Sequence, residues 1–179
     1  MKVVNLSLLI FFLLIRSANA GLIGGELKFS GRVNALPCDV ISGDEIIPVN
    51  FNDVSLKELL VNKKSKRIPF TIHLINCNTD VYKTVTVVFS GAESAKLPNH
   101  LAITPKISGS NMSAVAVGLQ LENGTPIILN EETPAQALSG NSKNLKFMAY
   151  IEGISAELRQ GQVDFGEFTS VASYTLNYQ

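Results

Sequence analysis

The sequence predicts an all-β domain. Short alternating or β-branched runs recur between Gly, Pro, Asn and Ser breaks, which is the punctuation of a sandwich or barrel. Only residues 54–62 carry helical spacing, and no internal repeat, low-complexity tract or second domain interrupts the pattern. Strands are expected over residues 26–35, 45–50, 69–77, 84–90, 101–107, 114–121, 125–129, 144–152 and 163–178. The clearest hairpin is the segment 118–127, because Asn123-Gly124 readily takes the positive φ angles of a tight turn.

Ahead of these strands lies an export signal. Lys2 supplies a positive start, Leu6 to Ile15 an apolar stretch, and Ala18-Asn19-Ala20 a small-x-small cleavage site, with the cut expected between Ala20 and Gly21. The apolar stretch is about half the ~20 residues that a membrane-spanning helix needs, so no membrane anchor is expected to be retained. Removing residues 1–20 takes away Lys2 and Arg16 and no acid, which leaves 13 basic residues (15 less 2) against 15 acidic ones. A nearly neutral chain lacks the basic footprint of a nucleic-acid binder.

Export places Cys38 and Cys77 in an oxidising compartment, where they are expected to pair. Closing a loop of roughly 40 residues stabilises by about 4 kcal/mol in the chain-entropy model. A metal site is not expected, since the only histidines are His73 and His100 and no C-x-x-C spacing occurs. Nothing suggests catalysis or a cofactor. The chain has no G-x-S-x-G elbow, no H-E-x-x-H, no phosphate loop and no G-x-G-x-x-G. The acid pairs Asp44-Glu45 and Glu131-Glu132 would point to opposite sides of an extended backbone, which is poor geometry for shared acid-base work. The basic cluster Lys57, Lys63, Lys64, Lys66 and Arg67 reads as a solvated loop before a buried strand.

The two ends carry the functional signal. Over residues 166–179, Phe168, Ser170, Ala172, Tyr174, Leu176 and Tyr178 alternate onto one face. A strand that runs to the last residue does not hairpin back over its own edge, so its unpaired backbone groups invite another chain. After the cleavage site, Ile23, Gly25, Leu27 and Phe29 likewise share one face. That segment suits either a strand of its own sheet or a donor that completes a neighbour's sheet, and periodicity alone does not choose.

Several pieces in this order resemble the subunits of bacterial fimbriae assembled by the chaperone-usher pathway, close to the type 1 fimbrial subunits. They are Gly24-Gly-Glu-Leu-Lys-Phe-Ser-Gly-Arg-Val33 before Cys38, Val49-Asn-Phe51, Pro69-Phe-Thr-Ile-His-Leu-Ile-Asn-Cys77, Val117-Gly-Leu-Gln-Leu121, and Gly166 to Gln179 with its penultimate tyrosine. The resemblance implies an incomplete immunoglobulin-like sandwich that lacks its final strand. It divides the chain into a signal peptide (1–20), an N-terminal donor-strand extension (21–30) and a pilin domain (31–179).

It further implies that a periplasmic chaperone lends a strand to the open groove, and that a neighbouring subunit's extension replaces that strand at the outer-membrane usher. Ile23, Gly25, Leu27 and Phe29 would form the donor face. Gly166, Phe168, Ala172, Tyr174, Leu176 and Tyr178 would form the acceptor strand, and Cys38–Cys77 would staple the first strand to the second. The expected function is that of a non-enzymatic structural subunit at the bacterial cell surface, contributing to adhesion. The alternative from another class is a self-sufficient secreted β-sandwich that binds a small molecule or glycan in the periplasm.

Overall fold

The structure is a computed structural model in which residues 25–32, 36–161 and 163–179 are described. The compact unit spans Asn34–Gln179. In chain order its elements are β1 (Asp39–Val40), α1 (Leu56–Asn62), β2 (Ile68–Ile75), β3 (Thr84–Gly91), β4 (Thr104–Pro105), β5 (Val115–Leu121), β6 (Gln136–Ala137), β7 (Ser142–Gly153), α2 (Ser155–Arg159), β8 (Phe168–Thr169) and β9 (Ala172–Tyr178). They form a four-stranded sheet in the order β1-β2-β7-β5, a three-stranded sheet β6-β3-β9, and the short pair β4-β8. Every named pairing is antiparallel.

Period-two alternation makes one face of each central strand apolar. Phe70, Ile72 and Leu74 of β2 stand opposite Phe147, Leu145 and Lys143 of β7, and Val117 and Leu119 of β5 opposite Ile151 and Ala149. From the second sheet, β3 contributes Val85, Val87 and Phe89. Phe147 is fully buried where the two sheets meet, with its ring centroid 5.5 Å from Phe70 and 5.0 Å from Phe89. Those edge-to-face and tilted contacts add to the area that the rings bury. Within the four-stranded sheet, on the face opposite Val117 and Leu119, Gly118 lies opposite Tyr150, whose ring crosses the space a side chain at 118 would fill.

The Cys38–Cys77 disulfide ties the chain just before β1 to the residues after β2. The two helices are too short to be stable alone and hold through packing. Leu59 of α1 and Leu158 of α2 are both buried in the common core.

The expected strands at 69–77, 84–90, 114–121 and 144–152 correspond to β2, β3, β5 and β7. Others differ. Residues 45–50 form no strand, although Ile47 and Val49 keep the alternation, because no strand among the described residues bonds their backbone. Within 101–107 only Thr104–Pro105 is a strand. Residues 125–127 follow β5 as an irregular margin through Ile127 N–H to Leu119 O at 2.9 Å and Leu121 N–H to Thr125 O at 2.9 Å. The expected strand 26–35 is absent over 26–32, which pair with no strand among the described residues, and residues 33–35 lie outside the described residues. Helix α1 falls inside the stretch with helical spacing, whereas α2 was not expected.

Candidate functional site

The long C-terminal strand expected over 163–178 is two strands with a step between them. Residues 167–170 lean on the segment after β3: Thr169 pairs with Thr104, Lys106 N–H donates to Glu167 O at 2.9 Å, and Ser170 Oγ donates to Ala102 O at 2.8 Å. From Ala172 onward the chain pairs with β3 instead. The crossing passes Gly91, where an added Cβ would lie 2.7 Å from Val171 O. Close backbone approach of this kind requires glycine.

One edge of β9 is open. Thr84 and Gln179 exchange both backbone bonds, at 2.9 and 3.0 Å, so in this register Thr86–Asn177, Val88–Thr175 and Ser90–Ser173 are the bonded pairs. Ala172, Tyr174, Leu176 and Tyr178 therefore turn their N–H and C=O groups the other way, where no described strand lies. The outer face is held to β3: the Glu132 carboxylate accepts from Thr86 Oγ1 at 2.9 Å and from Asn177 Nδ2 at 3.1 Å.

Beside this edge runs a groove of roughly 1580 Å³. One wall is the irregular segment 45–54, with Ile47, Val49 and Phe51 turned inward; the other is the chain from Val163 to Tyr174. Its floor is apolar core, including Phe89, Val117 and Ile151, and Leu56, Leu59 and Leu158 close it at the helices. Ile46 at 82% exposure, Phe165 at 73% and Val171 at 77% stand on its rim. A patch of large apolar side chains around an uncovered concavity marks an interaction site.

At the other end the walls are tied together. Tyr174 Oη donates to the backbone O of Asp44 at 2.8 Å. The Asp44 carboxylate in turn accepts the His73 backbone N–H at 2.6 Å and meets His73 Nδ1 at 2.8 Å. Burial works to raise the Asp44 pKa, but the His73 contacts outweigh it and hold the carboxyl below its ordinary value. Burial, with the neighbouring charges of Asp44 and Glu45, raises the Tyr174 hydroxyl and keeps it a donor.

Of the expected acceptor residues, Gly166, Phe168, Ala172 and Tyr174 line the groove. Leu176 and Tyr178 do not; they pack on the core beyond the tie, with Tyr178 edge-on to Tyr82 at 6.0 Å. Of the expected donor face, Leu27 and Phe29 are 82% and 89% exposed, Gly25 is exposed, and Ile23 lies outside the described residues, as do Ala20 and Gly21. The wall 45–54 was not foreseen as part of the site, although the alternation of Ile47, Val49 and Phe51 was visible. Among the described residues no cluster of His, Cys, Asp or Glu could hold a metal, and no helix is long and apolar enough to cross a membrane.

A sandwich with an apolar groove and an unpaired strand edge defines a class of domain that a further strand completes. The profile of the fimbrial protein family matches residues 27–179, and the chain belongs to that family. PmfF of Proteus mirabilis strain HI4320, provisionally named a minor fimbrial subunit, is 35% identical over 164 residues, covering 90% of this chain and 88% of that one. The fimbrial adapter PapK of Escherichia coli is 30% identical over 175 residues, covering 93% and 96%. The crystal structure of the P pilus rod subunit PapA superposes with a TM-score of 0.67 at 23% identity, over 80% of this chain and all of that one, which establishes the shared fold. The protein is thus a structural fimbrial subunit with an immunoglobulin-like fold lacking a strand, and the alternative of a self-sufficient ligand-binding sandwich is not favoured.

Proposed function

We propose that the groove between residues 45–54 and β9 accepts an inserted strand, and that residues 23–29 of a neighbouring subunit supply it. The observation that carries this reading is the unpaired edge of β9 above an apolar groove. From Gly166 to Tyr174 the acceptor runs eight steps, about 26 Å if fully extended, and residues 23–29 span about 20 Å. The lengths match. Leu27 and Phe29 are exposed, so their burial in a neighbour is a net gain of apolar contact. Strand addition of this kind takes its affinity from the backbone ladder and its specificity from alternate side chains in pockets.

On the same reading, residues 1–20 direct export and are removed, residues 21–30 are the extension and 31–179 the pilin domain. A periplasmic chaperone fills the groove until the outer-membrane usher exchanges it for the next subunit's extension, leaving the protein in a surface fimbrium. Filament assembly tests the proposal. A chain beginning at Gly31 should bind the chaperone through its groove yet form no filaments by itself, because it brings no extension to insert into the preceding subunit's groove. Normal filaments built from that truncated chain alone would reject the donor assignment.

A further inference from the structure

We infer that the Tyr174 hydroxyl is an end stop that sets how far an inserted strand runs along β9, and thereby restricts its register. This rests on the strand-acceptor reading and commits to one occupant, the N-terminal segment of a second copy of this chain.

The open groove and the open edge do not have the same length. Edge-facing backbone groups continue through Ala172, Tyr174, Leu176 and Tyr178. The groove stops at Tyr174 on one wall and at Glu45 on the other. Those limits coincide with the bond from Tyr174 Oη to Asp44 O, which joins the walls. Asp44 is not a mobile partner, because its carboxylate is anchored to β2 through two contacts with His73, and Ile41 N–H donates to His73 O at 3.0 Å. A strand advancing along β9 therefore meets a bridge fixed at both feet. Without the bridge, the backbone of Leu176 and Tyr178 offers further bonds of the same kind, and nothing in the ladder itself would halt the advance. Among the expected acceptor residues, the tie separates four that line the groove from two that do not.

Amide hydrogen exchange of the chain beginning at Gly21, with a synthetic peptide of residues 21–32 added in excess, tests this. The peptide extends about 36 Å, longer than the groove, so its surplus is free to run on if no stop exists. In the unaltered protein the peptide should slow exchange at Ala172 and Tyr174 by about tenfold or more, and leave Leu176 and Tyr178 within about twofold. In Tyr174→Phe, which keeps the ring and loses only the hydroxyl, all four amides should slow. Slowing at Leu176 and Tyr178 in the unaltered protein would overturn the end stop, as would an unchanged pattern in the Phe variant. Slowing at none of the four would reject the acceptor reading itself, and the stop with it.

Discussion

Replacing both Leu27 and Phe29 by alanine removes the two largest apolar side chains of the described donor segment, at 82% and 89% exposure. Neither belongs to the core cluster, so the variant's own domain should keep its stability. In a filament each would move from water into a neighbour's groove, and full burial of a side chain of this size contributes about 1.5 to 3 kcal/mol. Losing both removes about 3 to 6 kcal/mol, which at 1.4 kcal/mol per tenfold weakens binding by roughly two to four orders of magnitude. The assay is a titration of labelled 21–32 peptide, native or doubly substituted, onto the chain beginning at Gly31. Affinities within about threefold of each other would refute the reasoning, because apolar burial in the groove would then contribute almost nothing.

Other perturbations separate the scaffold from the site. A Cβ at position 118 would lie 2.3 Å from Tyr150 Cζ, and that ring is buried at 2% exposure, so Gly118→Ala should cost about 1 to 3 kcal/mol, seen as a lower urea midpoint with unchanged slope. Replacing both Cys38 and Cys77 by alanine should cost about 4 kcal/mol through the freed unfolded chain, read from the same denaturation curves under oxidising conditions. Asp44, held below its ordinary pKa by His73, stabilises the fold above the unfolded aspartate value of about 4 and loses that contribution as pH falls through its lower folded value. Stability of the native protein should therefore fall more steeply than that of Asp44→Asn between about pH 4 and pH 2, and parallel curves would contradict the pairing.

The strands that form the two sheets were legible because one face of each is core, and burial imprints a period of two on the sequence. β2, β7 and β3 show it plainly in Ile72-Leu74, Leu145-Phe147 and Val85-Val87. Residues 45–50 carry the same imprint through Ile47 and Val49 without being a strand. Alternation reports which side chains face inward, whereas a strand also needs a backbone partner, and none of the described strands supplies one there. The same distinction explains 26–32, an alternating segment with no ladder of its own in this structure. The step at Ser170–Val171 was hidden because it depends on Gly91 and Ala102, far away in sequence. The tie from Tyr174 to Asp44 spans 130 positions and leaves no local pattern.

The most direct test of intermolecular strand completion places a photo-reactive benzoylphenylalanine at position 29 and assembles filaments from a mixture of isotopically light and heavy subunits. After irradiation, mass spectrometry of the linked peptides identifies the partner. Links between light and heavy chains that join position 29 to residues 45–54 or 163–174 are the predicted result. Links confined to one copy, or reaching the exposed basic residues Lys63, Lys66 and Arg67 instead of the groove, would contradict it.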